Sequence, residues 1–425
     1  MITKHIKYKK NKLHIEGMDA EKLAEKYGTP LYCYAATHIK ENAEAYKKAF
    51  AKVMPKNRFT VCYAVKANSN QSLLTLIRKT GAGADVVSGG ELQRALTAGI
   101  APQKIVYSGV GKSEKELTAA IKLDLLQINI ESEVELERIS RIAQKLRKTA
   151  RIALRVNPDV DAKTHHKIST GKKEDKFGID IGDALRIYNR AKKMPAIAAT
   201  GVAVHIGSQI LHIAPYKRAY QRVAKLVKDL RNNGHAITTV DIGGGIGIRQ
   251  HEKDMPINLD AYAKMVRDVL GALDVHIVME PGRSIVGEAG VVLSRVVSVK
   301  KGHHKTFVII DAAMNDLVRP AMYDAYHAII PAKKSARRRM TCDIVGPVCE
   351  TSDVFLKGEK FPAMQAGDLV AITCAGAYGT VMSSTYNTRP RANEVLVKGT
   401  KSALIRKEET VRSLIAADIV PKWVA

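Results

Sequence analysis

The chain has 425 residues, of which 46% are hydrophobic and 26% charged, a composition typical of a folded protein with more than one domain. No apolar run approaches the roughly 20 residues that span a bilayer, and the basic stretch 1–12 lacks the apolar centre of a signal peptide. Five cysteines, without a C-x-x-C pair, argue against a disulfide framework or a zinc site and favour a reducing cytoplasm.

The formal net charge of +26 raises the possibility of nucleic-acid binding, because clustered lysines and arginines attract phosphate backbones. The basic residues are instead spread along the whole chain. The densest cluster, in 333–339, is short and contains no aromatic residue. We interpret the charge as a solvated basic surface, place that cluster on a surface loop, and expect neither a nucleic-acid nor a membrane partner.

Between residues 59 and 281, short apolar runs alternate with amphipathic helical patterns. Several runs are nearly continuous in Val, Ile, Leu and Ala, which is typical of parallel strands buried on both faces. The predicted strands are Phe59–Val65, Ala84–Val87, Lys104–Tyr107, Leu126–Ile130, Arg151–Val156, Gly201–Ile206, Thr238–Ile242 and His276–Met279. Eight such alternations over about 220 residues predict a (β/α)₈ TIM-type barrel. A doubly wound open sheet is the alternative that the strand count leaves open.

Two of the intervening helices have recognisable ends. The first shows apolar residues at three- and four-residue spacing from Leu136 to Leu146 and has Ser132 as its N-cap. The second runs through Tyr216 and Leu230 and closes at Gly234.

After Gly282 the pattern changes to strands separated by Gly and Pro. The predicted strands are Val291–Lys300, Thr306–Asp311, Cys342–Val345, Leu369–Cys374 and Glu394–Val397. We therefore predict an α/β barrel domain over 36–285 and a C-terminal all-β domain over 286–425, which the N-terminal segment 1–35 joins.

Reactive groups recur at the predicted carboxyl ends of the barrel strands, where such folds place their active sites. Lys66 ends a buried strand, and a partly desolvated amine favours Schiff-base chemistry, although most lysines are surface groups. Gly243–Gly245 follows a strand and can present backbone N–H groups to a phosphate, although a tight turn is the ordinary interpretation. Glu280 could hold a pyridine nitrogen protonated or simply form an ion pair. Together the three groups indicate pyridoxal phosphate.

At this point the chain resembles a known family. The motifs that carry the resemblance are 63–68, 166–171 with 176–178, 205–208, 243–245, 280–283, 319–323 with 326–327, 346–350 and 375–379. Their ordered set is similar to the alanine-racemase-like decarboxylases of pyridoxal-phosphate fold type III, and most similar to the diaminopimelate decarboxylases. The resemblance covers essentially the whole chain and implies pyridoxal 5'-phosphate as cofactor, no metal, and a homodimer whose active sites are shared across the interface.

The resemblance also implies residue roles. Lys66 is similar to the lysine that bonds to the cofactor, and Cys349 to the acid that returns a proton to the substrate carbon from the partner subunit. The cofactor-binding residues implied are Lys66, Asp85, His205, Ser208, Gly243, Gly244, Gly245, Glu280, Gly282, Arg283 and Tyr378. The substrate-binding residues implied are Arg283, Arg319, Tyr323, Glu350 and Tyr378. For Cys349 the ordinary interpretation is a buried apolar cysteine, but its flanks are polar and loop-like.

Related decarboxylases share the chemistry at Cα and differ in the group that their substrate carries at its other end. Diaminopimelate ends in an ammonium and a carboxylate, and Arg283 and Arg319 offer planar forks for the carboxylate. Glu350 offers a partner for the ammonium. We therefore predict release of CO₂ and L-lysine from meso-2,6-diaminopimelate, the last step of lysine biosynthesis. The alternatives are a decarboxylase of ornithine, arginine or a carboxylated polyamine such as carboxynorspermidine, a catalytically silent relative, and a nucleic-acid binder.

Overall fold

The computed structural model describes residues 2–161 and 177–424. The predicted motif 166–171 and Lys176 lie outside the described residues. The chain forms two compact units. One, the β unit, contains Met1–Ile39, Arg249–Lys253 and Val286–Ala425, and the other, the barrel unit, contains Lys40–Ile248 and Asp254–Ile285. No helix in the described ranges is both long enough and apolar enough to cross a membrane.

The described strands and helices follow one another along both units. The strands are β1 (Ile6–Lys9), β2 (Lys12–Ile15), β3 (Met18–Asp19), β4 (Leu31–Ala35), β5 (Phe59–Ala64), β6 (Gly83–Val86), β7 (Ile105–Tyr107), β8 (Gln127–Ile130), β9 (Ala150–Asn157), β10 (Ile179–Asp180), β11 (Ile197–Ala203), β12 (Thr239–Asp241), β13 (His276–Met279), β14 (Gly290–Lys301), β15 (Thr306–Ile310), β16 (Ile329–Pro331), β17 (Arg339–Val345), β18 (Val354–Pro362), β19 (Leu369–Ile372), β20 (Asn393–Lys398) and β21 (Lys401–Arg406). The helices are α1 (Ala20–Tyr27), α2 (Ala36–Ala51), α3 (Gln71–Arg78), α4 (Gly89–Thr97), α5 (Glu114–Lys122), α6 (Glu133–Lys145), α7 (Ala184–Lys193), α8 (Ile213–Asn232), α9 (Leu259–Leu270), α10 (Arg283–Val286), α11 (Arg319–Tyr323) and α12 (Val411–Ile415).

The barrel unit is a closed cylinder of parallel strands. The hydrogen-bonded order is β5-β6-β7-β8-β9-β11-β12-β13, with β10 added beside β9. Pairing of β13 with β5, in which Met279 lies opposite Val61, closes the ring. An open doubly wound sheet would leave these two strands unpaired, so that alternative is wrong and the predicted (β/α)₈ barrel is confirmed. Each of the eight predicted strands overlaps one strand of the ring.

The local sequence explains why the helices begin and end where they do. Ser132 accepts a hydrogen bond from the Glu135 N–H at 3.2 Å, which caps α6 as predicted. Tyr216 and Leu230 lie on the buried face of α8. Gly234 follows that helix with a φ of +77°, the left-handed conformation in which glycine commonly ends a helix.

The β unit is built around the long strand β14, which pairs antiparallel with β4, β15 and β19. Because β4 also pairs in parallel with β20, the N-terminal segment supplies a strand to the same sheet as the C-terminal strands. The apolar core of this unit contains Leu31 and Cys33 from β4 together with Val291 and Leu293 from β14. Among the described strands after residue 286, three were not predicted: β16, which is very short, and β18 and β21, whose mostly polar or exposed residues hide the apolar alternation. The four strands of the N-terminal segment, β1 to β4, were not predicted either.

The basic cluster lies where the sequence placed it. Residues 333–339 are exposed, and 334–338 form a loop before β17. The prediction of a surface loop is therefore confirmed.

Candidate active site

Lys66 lies in a short turn directly after β5, at the carboxyl end of the first barrel strand. Its Nζ donates to the Asp85 Oδ2 at 2.7 Å. Asp85, at the end of β6, is fully buried, whereas the side chain of Lys66 keeps 35% of its exposure. The buried carboxylate therefore orients an amine that remains accessible. Gly282 supports the same turn, because a Cβ there would lie 3.0 Å from the Cβ atoms of Ala64 and Ala67.

A cavity of about 410 Å³ opens beside Lys66. This volume falls within the roughly 300–1,000 Å³ of small-molecule sites. The polar side chains that line it include Lys66, Ser108, Asn129, His205, Asp241 and Glu280. They come from the ends of different strands, as expected for a barrel active site.

Glu280 follows β13 and is 8% exposed. The Ser108 hydroxyl donates to its Oε1 at 3.3 Å. Burial raises the pKa of Glu280 well above the usual range, the carboxylates of Asp241 and Asp85 raise it further, and the Lys66 ammonium opposes them. Glu280 therefore presents a carboxyl to the cavity from the carboxyl end of β13.

Three polar residues of this cavity, Ser108, Asn129 and Asp241, were not predicted. Asn129 donates through Nδ2 to the Ser108 Oγ at 3.0 Å and to the Asp241 Oδ2 at 3.0 Å. Two signals in the sequence could have found them. Gln127 and Asn129 alternate with isoleucines, and Asp241 places a charge between Val240 and Ile242. Polar residues at period two inside barrel strands point to one side of the wall.

His205 follows β11 and accepts a hydrogen bond from the Gly244 N–H at Nδ1, at 3.3 Å. The proton of the neutral ring therefore lies on Nε2. Burial lowers the pKa of His205 well below its usual value, and the nearby cations Arg155 and Lys66 add to that effect. The ring is accordingly a neutral, planar group at the cavity wall, suited to stacking.

The glycine loop after β12 is required by close backbone contacts. A Cβ on Gly244 would lie 2.1 Å from the Glu280 carbonyl oxygen, and one on Gly245, whose φ is +96°, would lie 2.1 Å from the Gly207 carbonyl oxygen. The Gly243 N–H donates to the Asp241 Oδ1 at 2.9 Å. In the part of the chain that the structure describes, the Gly245 N–H donates to no acceptor, so it is available to an anion.

Ser208 and Arg283 are joined to each other on the same side of the barrel. Arg283 donates to the Ser208 Oγ at 3.1 Å, and its side chain is buried. Ser208 follows β11 and Arg283 follows β13, the strands that flank the glycine loop after β12. A hydroxyl, a guanidinium and an unpaired N–H thus come from neighbouring strand ends. This set suits a phosphate.

The remaining predicted residues lie in the β unit. Arg319 is buried at the start of α11, which ends at the half-buried Tyr323. Arg319 donates to the His327 Nε2 at 2.8 Å, and His327 donates through Nδ1 to the Thr373 carbonyl at 2.9 Å. These two hydrogen bonds place the proton of the neutral His327 ring on Nδ1 and hold the Arg319 guanidinium in position. Tyr378 has a φ of +56°, a left-handed conformation that is uncommon for a tyrosine.

Cys349 and Glu350 lie on an exposed loop of the β unit. Cys349 is exposed while the other four cysteines are buried, so it is not the apolar core cysteine of the ordinary interpretation. Its N–H donates to the Asn387 Oδ1 at 2.9 Å. Glu350 accepts from the Tyr386 hydroxyl at 3.3 Å. Both side chains are therefore accessible to a group outside this chain.

Comparison with known proteins gives a uniform result. The family described as pyridoxal-dependent decarboxylase, pyridoxal binding domain, matches residues 36–287. A diaminopimelate decarboxylase of Aquifex aeolicus is 47% identical over 405 residues, which are 95% of each chain. The crystal structure of diaminopimelate decarboxylase from Helicobacter pylori complexed with L-lysine has a TM-score of 0.89 at 45% identity and covers 93% of this chain and 98% of that one. The corresponding enzyme from M. jannaschii, in co-complex with L-lysine, has a TM-score of 0.95 at 38% identity over 100% of both chains.

Proposed function

Because the chain belongs to the pyridoxal-dependent decarboxylases, and within them to the diaminopimelate decarboxylases, we propose that its barrel cavity is where meso-2,6-diaminopimelate loses CO₂ to give L-lysine. The enzyme is a pyridoxal-phosphate-dependent carboxy-lyase of lysine biosynthesis. The observation that carries the assignment to this cavity is that Lys66, Glu280 and His205 line it together.

The residues of the barrel unit fit pyridoxal phosphate. When bound, this cofactor supplies an aldehyde that bonds to an amine and a ring that accepts the electron pair left when CO₂ departs. Lys66 offers the amine, and Glu280 the carboxyl for the ring nitrogen. His205 offers a neutral ring to stack on the cofactor. Ser208, the loop 243–245 and Arg283 would hold the phosphate, and Asp85 orients Lys66.

The β unit is proposed to recognise the substrate and return the proton. Arg319, held by His327, offers a fork to the distal carboxylate. Tyr323 and Tyr378 would contact the same amino-acid head, and Glu350 its ammonium. Cys349 would donate its thiol proton to the Cα that has lost CO₂.

We propose that these groups work in a homodimer, with Cys349 and Glu350 entering the site of the partner subunit. The exposure of both side chains in one chain supports this arrangement.

We also propose the working division into a barrel domain over 36–285 and a β domain over 286–425 with 1–35. The cytoplasm is the proposed compartment, since the five cysteines are unpaired.

Gly245→Ala should weaken binding of pyridoxal phosphate by about tenfold or more, because a left-handed residue with a crowded Cβ carries roughly 1–3 kcal/mol of strain where the phosphate is proposed to sit. Gly111→Ala is the matched control, because Gly111 also lines the cavity and a Cβ there meets nothing within 4 Å. Fluorescence titration with pyridoxal phosphate measures both affinities. Equal affinities for the two variants would contradict the phosphate role of the loop.

The substrate is tested by measuring CO₂ release from meso-diaminopimelate, ornithine, arginine and carboxynorspermidine in parallel. We expect diaminopimelate to exceed the others in kcat/KM by about 10⁴, because a site with buried polar groups rejects analogues that leave them unpaired. Faster turnover of ornithine would overturn the substrate-binding role proposed for Arg319 and the one predicted from the sequence for Arg283.

A further inference from the structure

A connected set of buried polar side chains runs along the cavity to Glu280. Asn129 and Asp241 are 2% and 1% exposed. Because Asn129 Nδ2 donates to the Ser108 Oγ, the Ser108 hydroxyl is free to donate in turn to the Glu280 Oε1. The set therefore joins residues at the ends of β7, β8, β12 and β13 around one carboxyl pair, Asp241 and Glu280.

The two carboxyls of this pair are held differently. Asp241 receives hydrogen bonds at both oxygens, from the Gly243 N–H at 2.9 Å and from Asn129 Nδ2 at 3.0 Å. Gln127 Nε2 lies 3.5 Å from its Oδ2. None of these amide donors can accept a proton, so they stabilise an anion at Asp241. Glu280 receives its donor, the Ser108 hydroxyl, at Oε1.

We propose that Asp241 is a positioning residue that keeps a proton on the Glu280 carboxyl before pyridoxal phosphate binds. This deepens the proposed function and rests on it only for the destination of the proton. On binding, the O–H bond at Glu280 breaks and an N–H bond forms at the ring nitrogen, which leaves Glu280 as the carboxylate beside a protonated ring. No further reactant is needed.

The electrostatics of the site agree with this division. Burial raises the pKa of Asp241 only to about 6, because the amide of Asn129 and the Gly243 N–H oppose the effect. The pKa of Glu280 is raised well above its usual range by burial and then by Asp241 and Asp85. The other charged groups that line the cavity are Lys66 and Arg155, and His205 is neutral there. Between about pH 6 and the pKa of Glu280, Asp241 is therefore charged while Glu280 holds the proton.

Infrared titration of the cofactor-free protein tests the proposal. Glu91 and Asp316, whose pKa values burial raises to about 7, contribute C=O bands of their own near neutral pH. One further C=O band of a buried carboxylic acid should be present at neutral pH and absent in Glu280→Gln. In Asp241→Asn the band should remain at low pH, but the midpoint of its loss should fall by at least about 1 pH unit, since a neighbouring negative charge is gone. Asn129→Ala keeps both carboxyls and should not lower this midpoint. It should instead raise the pH at which Asp241 loses its proton, because that anion loses an amide donor.

Asp183→Asn, which alters an exposed carboxylate on the surface of the same unit, is the matched control and should leave the midpoint unchanged. Isothermal calorimetry in two buffers supplies a second readout. At a pH between the band midpoints of Asp241→Asn and of the wild type, Glu280 is protonated only in the wild type. The wild type should therefore release about one more proton on binding pyridoxal phosphate than Asp241→Asn does. A spectrum that loses no such band in Glu280→Gln, or an unchanged midpoint in Asp241→Asn, would overturn the proposal. Since the titration uses neither cofactor nor substrate, its failure is separable from that of the proposed function, which CO₂ release measures.

Discussion

Replacing Lys66 by alanine is expected to lower kcat/KM for diaminopimelate by about 10⁴-fold or more. The variant lacks the amine that bonds to the cofactor and that transfers a proton during the reaction. The yellow absorbance of the bound cofactor should disappear together with the activity. Absorbance spectra and CO₂ release, measured on the same preparations, check both effects.

The loss of Lys66 also leaves Asp85, a fully buried carboxylate, without its 2.7 Å partner. An unpaired buried charge destabilises a fold. Lys66→Ala/Asp85→Asn removes this charge and should melt near the wild type in circular dichroism while remaining inactive. Lys122→Ala, on the exposed face of α5, is the control and should keep wild-type turnover. Turnover by the folded double variant would remove Lys66 from the mechanism.

Cys349→Ala should slow the formation of lysine by about 10²–10⁴-fold, the usual contribution of a positioned proton donor. Because the other four cysteines are buried, a thiol reagent applied to the folded enzyme should modify Cys349 first and inactivate it. Mass spectrometry of the labelled protein and its residual CO₂ release measure this. Cys342→Ala, which removes a buried thiol, should leave the inactivation unchanged.

Mixing subunits tests whether Cys349 acts in the partner's site. When Lys66→Ala and Cys349→Ala proteins are exchanged at equal concentrations, half of the dimers combine both variants, and each such dimer holds one intact site. Activity should therefore return to about a quarter of the wild type. If Cys349 served the site of its own chain, the mixture would stay as inactive as its components.

The sequence was sufficient for the barrel. Continuous apolar runs such as the one before Lys66 mark strands buried on both faces, and burial is a property of each short segment that can be recognised locally. The ends of those strands identified Lys66, Glu280 and the loop 243–245 as candidates. In the β unit, however, β18 and β21 were missed, because exposed strands resemble loops in composition.

What only the tertiary structure decided is which side chains meet. Ser108, Asn129 and Asp241 are far apart along the chain, and the closure of the ring and the register of its strands bring them beside Glu280. The same is true of Lys66 and Asp85, whose ion pair depends on the parallel pairing of β5 with β6. Composition and periodicity record whether a residue is buried. The partner that satisfies a buried polar group is set by distances across the barrel, which no local pattern contains.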